Sequence, residues 1–302
     1  MRLVPNARRL ALVAVVLAGT AFAAPASPQS REPAVPHLAS LSTGTLHFPA
    51  PGALVVALGV EYLPGITNEL AGVRGRMVRW PTLGLKLGLA DQAMFQVSWP
   101  AYNWLRIDEQ RDPPPLGERL GGSSSDWGDV TVATHILLRA EADGWPAWGL
   151  RFAAELPTSN EALGIGDNTT DVFASMLLAR ALGPRLGVHA DLGVGILTER
   201  TRSFAQNDVL TYGVLADWRA GNRLHLVGEV AGRWSTRGDL PGTASRGELR
   251  AGADLRRGRV HWTALALHGL TTGDSRGLGA SLTVSTRLKA LGARGRAGTP
   301  AL

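Results

Sequence analysis

The chain has 302 residues, with 37 glycines and no cysteine, and its 31 Lys and Arg against 25 Asp and Glu give a formal net charge of +6. Zero cysteine excludes disulfides, thiolate metal sites and a lipoprotein anchor together. The basic residues form no patch with interleaved aromatics, so nothing points to nucleic acid.

At the N-terminus, Arg2, Arg8 and Arg9 precede a short apolar run, Leu10 to Ala18, and an A-x-A site at Ala21-Phe22-Ala23. This pattern predicts a cleaved secretory signal peptide over residues 1–23, too short for a spanning helix. Removing its three arginines lowers the charge from +6 to +3, a weak balance. No later stretch is apolar for eighteen consecutive residues, so no helical membrane span is expected.

Residues 24–51 carry no strand pattern, and their first part, Ala24 to Pro36, is rich in Pro, Ala and Ser. They are expected either as a periplasmic leader or as a partial plug. In the second case Val35, Leu38, Leu41 and Leu46 would lie against a barrel wall.

From Ala53 to Leu288, apolar residues fall at every second position in about twelve stretches. Leu54, Val56, Leu58, Val60 and Tyr62 share one face, with Ala57, Gly59 and Glu61 on the other. Leu83, Leu85, Leu87 and Leu89 alternate with Gly84, Lys86 and Gly88, and Phe95, Val97 and Trp99 with Gln96 and Ser98. The same pattern recurs through Val130–Arg139, Trp148–Leu156, Leu186–Ile196, Leu224–Arg233, Glu248–Leu255 and Leu278–Leu288. Charge on only one face means that one side meets apolar surroundings and the other a polar space.

The gaps alternate in length. Long ones are Leu63–Arg74, Asn103–Trp127, Pro157–Thr170, Arg200–Asp208, Ser235–Arg246 and Thr271–Arg276. Short ones are Asp91-Gln92, Glu141–Pro146, Gly183-Pro184, Gly221-Asn222 and Arg257-Gly258. An up-and-down sheet with short turns at one end and long loops at the other describes an outer-membrane β-barrel. A soluble sandwich would alternate too, but with its apolar face inward. Two features favour lipid. Gly and Ala are frequent opposite the apolar face, as a crowded barrel interior requires. Tryptophans gather in two belts, Trp99, Trp104, Trp127 and Trp234 toward the long loops and Trp145, Trp148, Trp218 and Trp262 toward the short turns, as at the two headgroup levels of a bilayer. Trp80 fits either belt or neither.

Three motifs stand out between β-like segments: Trp127-Gly128-Asp129-Val130, then Glu155-Leu156-Pro157-Thr158, then Leu163-Gly164-Ile165-Gly166-Asp167. With the later Leu182-Gly183-Pro184-Arg185-Leu186 turn, this stretch resembles the outer-membrane barrel family called "meta-pathway of phenol degradation". The resemblance covers roughly Trp127 to Gly232 and implies a single-chain barrel serving uptake of apolar or aromatic compounds. Two departures are plain: Leu288, not an aromatic, closes the last strand, and Ser159 stands where a glycine after Pro-Thr is expected.

Motifs for chemistry are thin. Gly164-x-Gly166 lies between strands, so a dinucleotide reading is weak. The inward face is expected to carry Lys86, His135, Arg139, Arg151, Glu155, His189, Asp191, Glu229, Arg233, Glu248, Arg250, Asp254 and Arg287, a lumen lined with both signs of charge. His135, His189, His225 and His261 on or near that face are scattered polar residues rather than a metal site. A hydrolase built from Ser98, His135 and Glu155 would need all three within hydrogen-bond reach. Asp108, Glu109, Asp112 and Glu118 around Pro113-Pro114-Pro115 read as a solvated loop, with divalent-ion binding as the alternative.

The expectation is therefore an all-β, transmembrane up-and-down antiparallel barrel of about twelve strands over residues 52–290, with a tail over 291–302. It is expected to be a monomer without cofactor or metal. Its partners would be outer-membrane lipid and lipopolysaccharide, the barrel-assembly machinery and a small-molecule solute. Passive solute movement is the expected function. A closed structural or adhesive barrel is the alternative, and an outer-membrane hydrolase comes third.

Overall fold

A strand with one apolar face and one polar face must pair along both edges if it is to lie in lipid, because no water is there to satisfy its backbone. The structure, a computed structural model, describes residues 41–115, 119–198, 206–237, 242–271 and 274–288. Its strands are β1 Leu54–Asn68, β2 Val73–Ala90, β3 Ala93–Pro100, β4 Asn103–Gln110, β5 Ser123–Asp126, β6 Val130–Arg139 and β7 Ala147–Leu156. The second half comprises β8 Asp171–Ala181, β9 Leu186–Thr198, β10 Gln206–Arg219, β11 Leu224–Ser235, β12 Arg246–Arg257, β13 Val260–Gly269 and β14 Leu278–Leu288. Neighbours in the sheet pair antiparallel, and β1 pairs with both β14 and β2, so the sheet closes on itself.

The ring has twelve wall positions, because two of them are broken strands. The lower part of β2 pairs with β3 and its upper part with β4. β3 and β4 are thus one wall strand interrupted at Ala101-Tyr102, and β5 and β6 another, interrupted at Trp127–Asp129. The fold is an all-β, closed, twelve-stranded antiparallel barrel. Closure removes every sheet edge.

Around the middle of the wall, large apolar side chains such as Leu58, Phe152, Met176, Val194, Val230 and Leu282 stand exposed on the outside. A continuous apolar belt of this kind is a lipid-facing surface. The signal-peptide residues 1–23 and the tail 291–302 lie outside the described residues, as do Val35 and Leu38.

Several expected loops are in fact strand. Leu63–Arg74 mostly disappears: β1 runs on to Asn68 and β2 begins at Val73. The extension is accommodated where the β1–β2 register shifts between Leu63 and Ile66, with Gly65 at φ 63. Asn103–Trp127 contains β4 and β5, and β10 starts at Gln206, inside the expected Arg200–Asp208 gap. These extensions form a collar above the lipid belt, and there the polarity of the wall reverses. Leu63, Ile66, Val73, Met77 and Leu105 point inward and are buried, while Arg76 and Arg106 point out.

Candidate functional site: the barrel lumen

The lumen is occupied by the chain's own N-terminal segment. Residues preceding β1 reach the short-turn rim at Gly52, whose N–H donates to Gly88 O at 2.8 Å. Gly88 has no side chain to spare there: a Cβ would sit 2.3 Å from Pro49 O and Ala50 O. From that rim the segment climbs inside the barrel. Leu46 packs with Ala147, Leu177 and Ala179, over the space left by Gly149. His47 lies edge-on to His189 and Phe48 edge-on to His135. Higher up, Leu41 joins a buried apolar cluster with Leu215, Val227, Leu265 and Leu267.

Between these apolar anchors the wall grips the backbone. Glu229 Oε1 accepts from Thr43 N at 2.5 Å and its Oε2 from Ser42 N at 3.2 Å. Asp191 Oδ2 accepts from Gly44 N at 3.2 Å, and His135 Nδ1 lies 3.2 Å from Thr45 O. Charge-assisted bonds of this kind are stronger than neutral ones, and here they act where water is excluded. The small residues of the inner face have a purpose beyond wall crowding: Gly149 and Gly213 leave room for Leu46 and Thr43.

The same carboxylates belong to a mixed-charge interior. Arg250 bonds Glu248 and lies 3.8 Å from Glu229 and 4.0 Å from Glu61, which also pairs with Arg79 at 3.2 Å. Lys86, buried, lies within electrostatic reach of Glu229 and Arg151, and Arg151 within reach of Asp191. Toward the short turns, Asp254 is fully buried and bonds His261 Nδ1 at 2.8 Å and Thr263 Oγ1 at 2.9 Å. A bidirectional charge lining of this type sets no strong preference for one sign of ion.

At the long-loop mouth, residues 157–170 fold into the collar, and Asp129 holds them. Its carboxylate accepts five hydrogen bonds: from the N–H groups of Thr158, Ser159, Asp167 and Asn168 and from Ser159 Oγ. The three sequence motifs therefore meet at one point, and Ser159, where the resembled pattern has glycine, supplies two of the donors, its N–H and its hydroxyl. Gly166, at φ 66, is needed here because a Cβ would sit 2.0 Å from Ser159 Oγ and 2.4 Å from Asp129 Oδ2. Ile165, carried inward by this loop, is 1% exposed and packs with Val73, Leu105 and Ala71. Asp167 contacts Arg246 at 3.5 Å and Arg233 at 3.6 Å. Burial pushes its carboxyl up, but the two guanidinium groups outweigh burial and hold it below the usual range. Beside this loop a cavity of about 20 Å³, lined by Asp167, Asn207, Arg233 and Gly242, has room for one water.

The structure places the remaining expected residues as follows. Glu155 stands on the inward face below the mouth loop, opposite Asp171 of β8. Arg287 is opposite Val55 on the inward face, but exposed at the short-turn rim. Arg139 does not line the lumen. The β6–β7 register shifts between Leu137 and Arg139, which puts Arg139 opposite outward Trp148, and its guanidinium lies 5.8 Å from the Trp145 ring centroid. Ser98, His135 and Glu155 are not brought together. Ser98 and Glu155 both flank Thr131, four residues along β6 from His135, a separation of roughly 13 Å. The four lumen histidines have separate partners, His225 that of Asp217 at 2.9 Å. Asp108 pairs with Arg76 at 2.8 Å and Asp112 with Arg119, while Glu118 lies outside the described residues.

Of the expected belt residues, Trp104, Trp127, Trp145, Trp148, Trp218, Trp234 and Trp262 are all exposed. Trp99 stacks on Trp127 at 5.5 Å, and its indole N–H donates to Gly128 O. Tyr102, which periodicity did not single out, packs edge-on against both Trp104 and Trp127. Trp80 donates its backbone N–H to Tyr102 O, which places it at the long-loop belt.

No protein-family model matches the chain, and no curated protein sequence does. Among solved structures, an outer membrane channel from Pseudomonas putida F1 superposes with a TM-score of 0.61 at 14% identity, covering 82% of this chain and all (100%) of that one. The KdgM porin in complex with oligogalacturonate gives a TM-score of 0.44 at 7% identity over 78% of this chain and 98% of its own. The channel DcaP of Acinetobacter baumannii gives 0.40 at 11% over 78% and 98%. The first of these likenesses, at that identity, establishes the fold: the chain has the architecture of an outer-membrane β-barrel.

Proposed function

We propose that the chain is a gated passive channel of a Gram-negative-type outer membrane, reached by way of a signal peptide cleaved after residue 23. In the resting state residues 41–50 fill the lumen, and they withdraw when a small solute passes. The observation that carries this reading is the grip of Glu229 and Asp191 on three consecutive backbone N–H groups, Ser42, Thr43 and Gly44. These bonds are to main chain, not to side chains that interlock with the wall. A solute or water can replace them without rebuilding the barrel, and the path left behind is polar. The resemblance seen in the sequence points to apolar or aromatic cargo, whereas the buried charges Lys86, Asp191 and Glu229 of the wall favour a polar solute.

A second reading is a closed structural barrel. It draws on the apolar cluster in which Leu41 and Ile165 help to fill the upper lumen. Deleting residues 24–46 separates the two. A channel gains solute flux in proteoliposomes while keeping its barrel. Unchanged flux with unchanged thermal stability makes the segment a leader, and absence of flux in both proteins favours the closed barrel.

A further inference from the structure

We propose that the lumen at mid-height is a selectivity site for zwitterionic solutes of amino-acid or short-peptide size, and that residues 42–45 occupy it as a built-in stand-in. This rests on the channel reading above. Three inward residues lie directly opposite one another across adjacent strands: His135 on β6, Arg151 on β7 and Ser175 on β8. Lys86 lies within electrostatic reach of His135 and Arg151. This is the cationic side. Asp191 on β9 and Glu229 on β11 form the anionic side, and the backbone of residues 42–45 bonds both of them and His135.

The contacts describe what the site accepts. The anionic side takes N–H donors, from Ser42, Thr43 and Gly44, and His135 meets a carbonyl oxygen, that of Thr45. Hydrogen-bonding capacity is also left over: His135 Nε2 and Ser175 Oγ are buried and have no hydrogen-bond partner among the described residues. Unmet buried polar atoms are costly, and a polar ligand would satisfy them.

Other solute classes fit less well. An apolar solute would strip water from Lys86, Arg151, Asp191 and Glu229 without replacing it. A simple anion meets Asp191 and Glu229, and a simple cation meets Lys86 and Arg151. A solute bearing an ammonium and a carboxylate a few bonds apart can face both sides at once.

The test is a ratio of two fluxes through one protein, which does not depend on how often the gate is open. Full-length protein in liposomes is given glycylglycine or arabinose, solutes of similar size. The wild type should pass the dipeptide at least about fivefold faster. Asp191→Asn with Glu229→Gln should bring the ratio close to one, and Asp191→Asn alone should lower it if the double variant fails to assemble. A wild-type ratio near one, or a ratio that both variants leave unchanged, overturns the site while leaving the channel standing. Flux of neither solute, in the wild type and in the 24–46 deletion alike, overturns the channel and the site with it.

Discussion

The lipid-level wall and the collar above it are built from the same strands with opposite rules. At lipid level, Val194 and Leu192 on β9 face out while His189 and Asp191 face in and are buried. In the collar, Arg76 and Arg106 face out while Met77 and Leu105 face in. The alternation continues through both regions, its phase shifted where the β1–β2 register slips between Gly59 and Glu61 and between Leu63 and Ile66; what changes is the solvent outside. Lipid rewards an apolar exterior and leaves the polar residues to the lumen. Water rewards the reverse, so the collar is packed like a small soluble barrel. Each region therefore fills its interior by its own means, the collar with apolar side chains and a loop, the wall with a hydrogen-bonded segment.

Exchanging the rules should break each region differently. The largest effect is expected for Leu105→Asp, which buries a carboxylate without a partner at a side chain 1% exposed. It should cost on the order of 3–5 kcal/mol and expose the mouth loop to protease. Val214→Arg, on the outer face at the middle of β10, should cost about 2–4 kcal/mol by urea titration in lipid. Arg106→Leu, the reverse exchange of polarity on the outer face of the collar, should stay within about 0.5 kcal/mol. Equal costs for Val214→Arg and Arg106→Leu would contradict the assignment of a lipid belt and a wet collar.

Asp129→Asn should loosen residues 157–170 by about 1–3 kcal/mol, since an amide can accept at only one of the two oxygens that now serve five donors. Limited proteolysis should cut that loop first while leaving the lipid-level wall intact. The smallest effect is acid sensitivity. Because Asp167 is held below its unfolded value by Arg246 and Arg233, its contribution is present above the ordinary carboxylate range and fades as pH falls through the depressed value. The share of the mouth loop's protection that Asp167 contributes should therefore fall only below about pH 4. Asp167→Asn should remove that dependence.

The lipid-level strands were legible because Leu, Val and Trp alternate there with Gly, Ser and charge. β4 and β5 look like loop in the sequence because their outward residues, Arg106, Asp108 and Ser123 among them, are those of a loop; only Leu105 and Ile107 betray the inward face. The three motifs around Asp129 were visible as a resemblance, but no spacing rule says that one carboxylate would gather donors from residues 158–168. Alternation alone puts Arg139 on the inward face, but a register shift of one residue turns it to the other face, and bulges leave no mark in composition. In the luminal segment Leu41 and Leu46 could be singled out as apolar. The bonds from Ser42, Thr43 and Gly44 could not, since main-chain donors are common to almost every sequence.

The chain's lack of cysteine makes one measurement especially direct. Thr43 Cβ lies 3.3 Å from the position a Cβ would take at Gly213, close to the range of about 3.5–4.5 Å for a disulfide. In the double variant Thr43→Cys with Gly213→Cys, single-channel recordings should show a silent oxidised protein that conducts once a reductant frees the segment. Equal conductance before and after reduction, with the bond verified by mass, would contradict a lumen gated by residues 41–50.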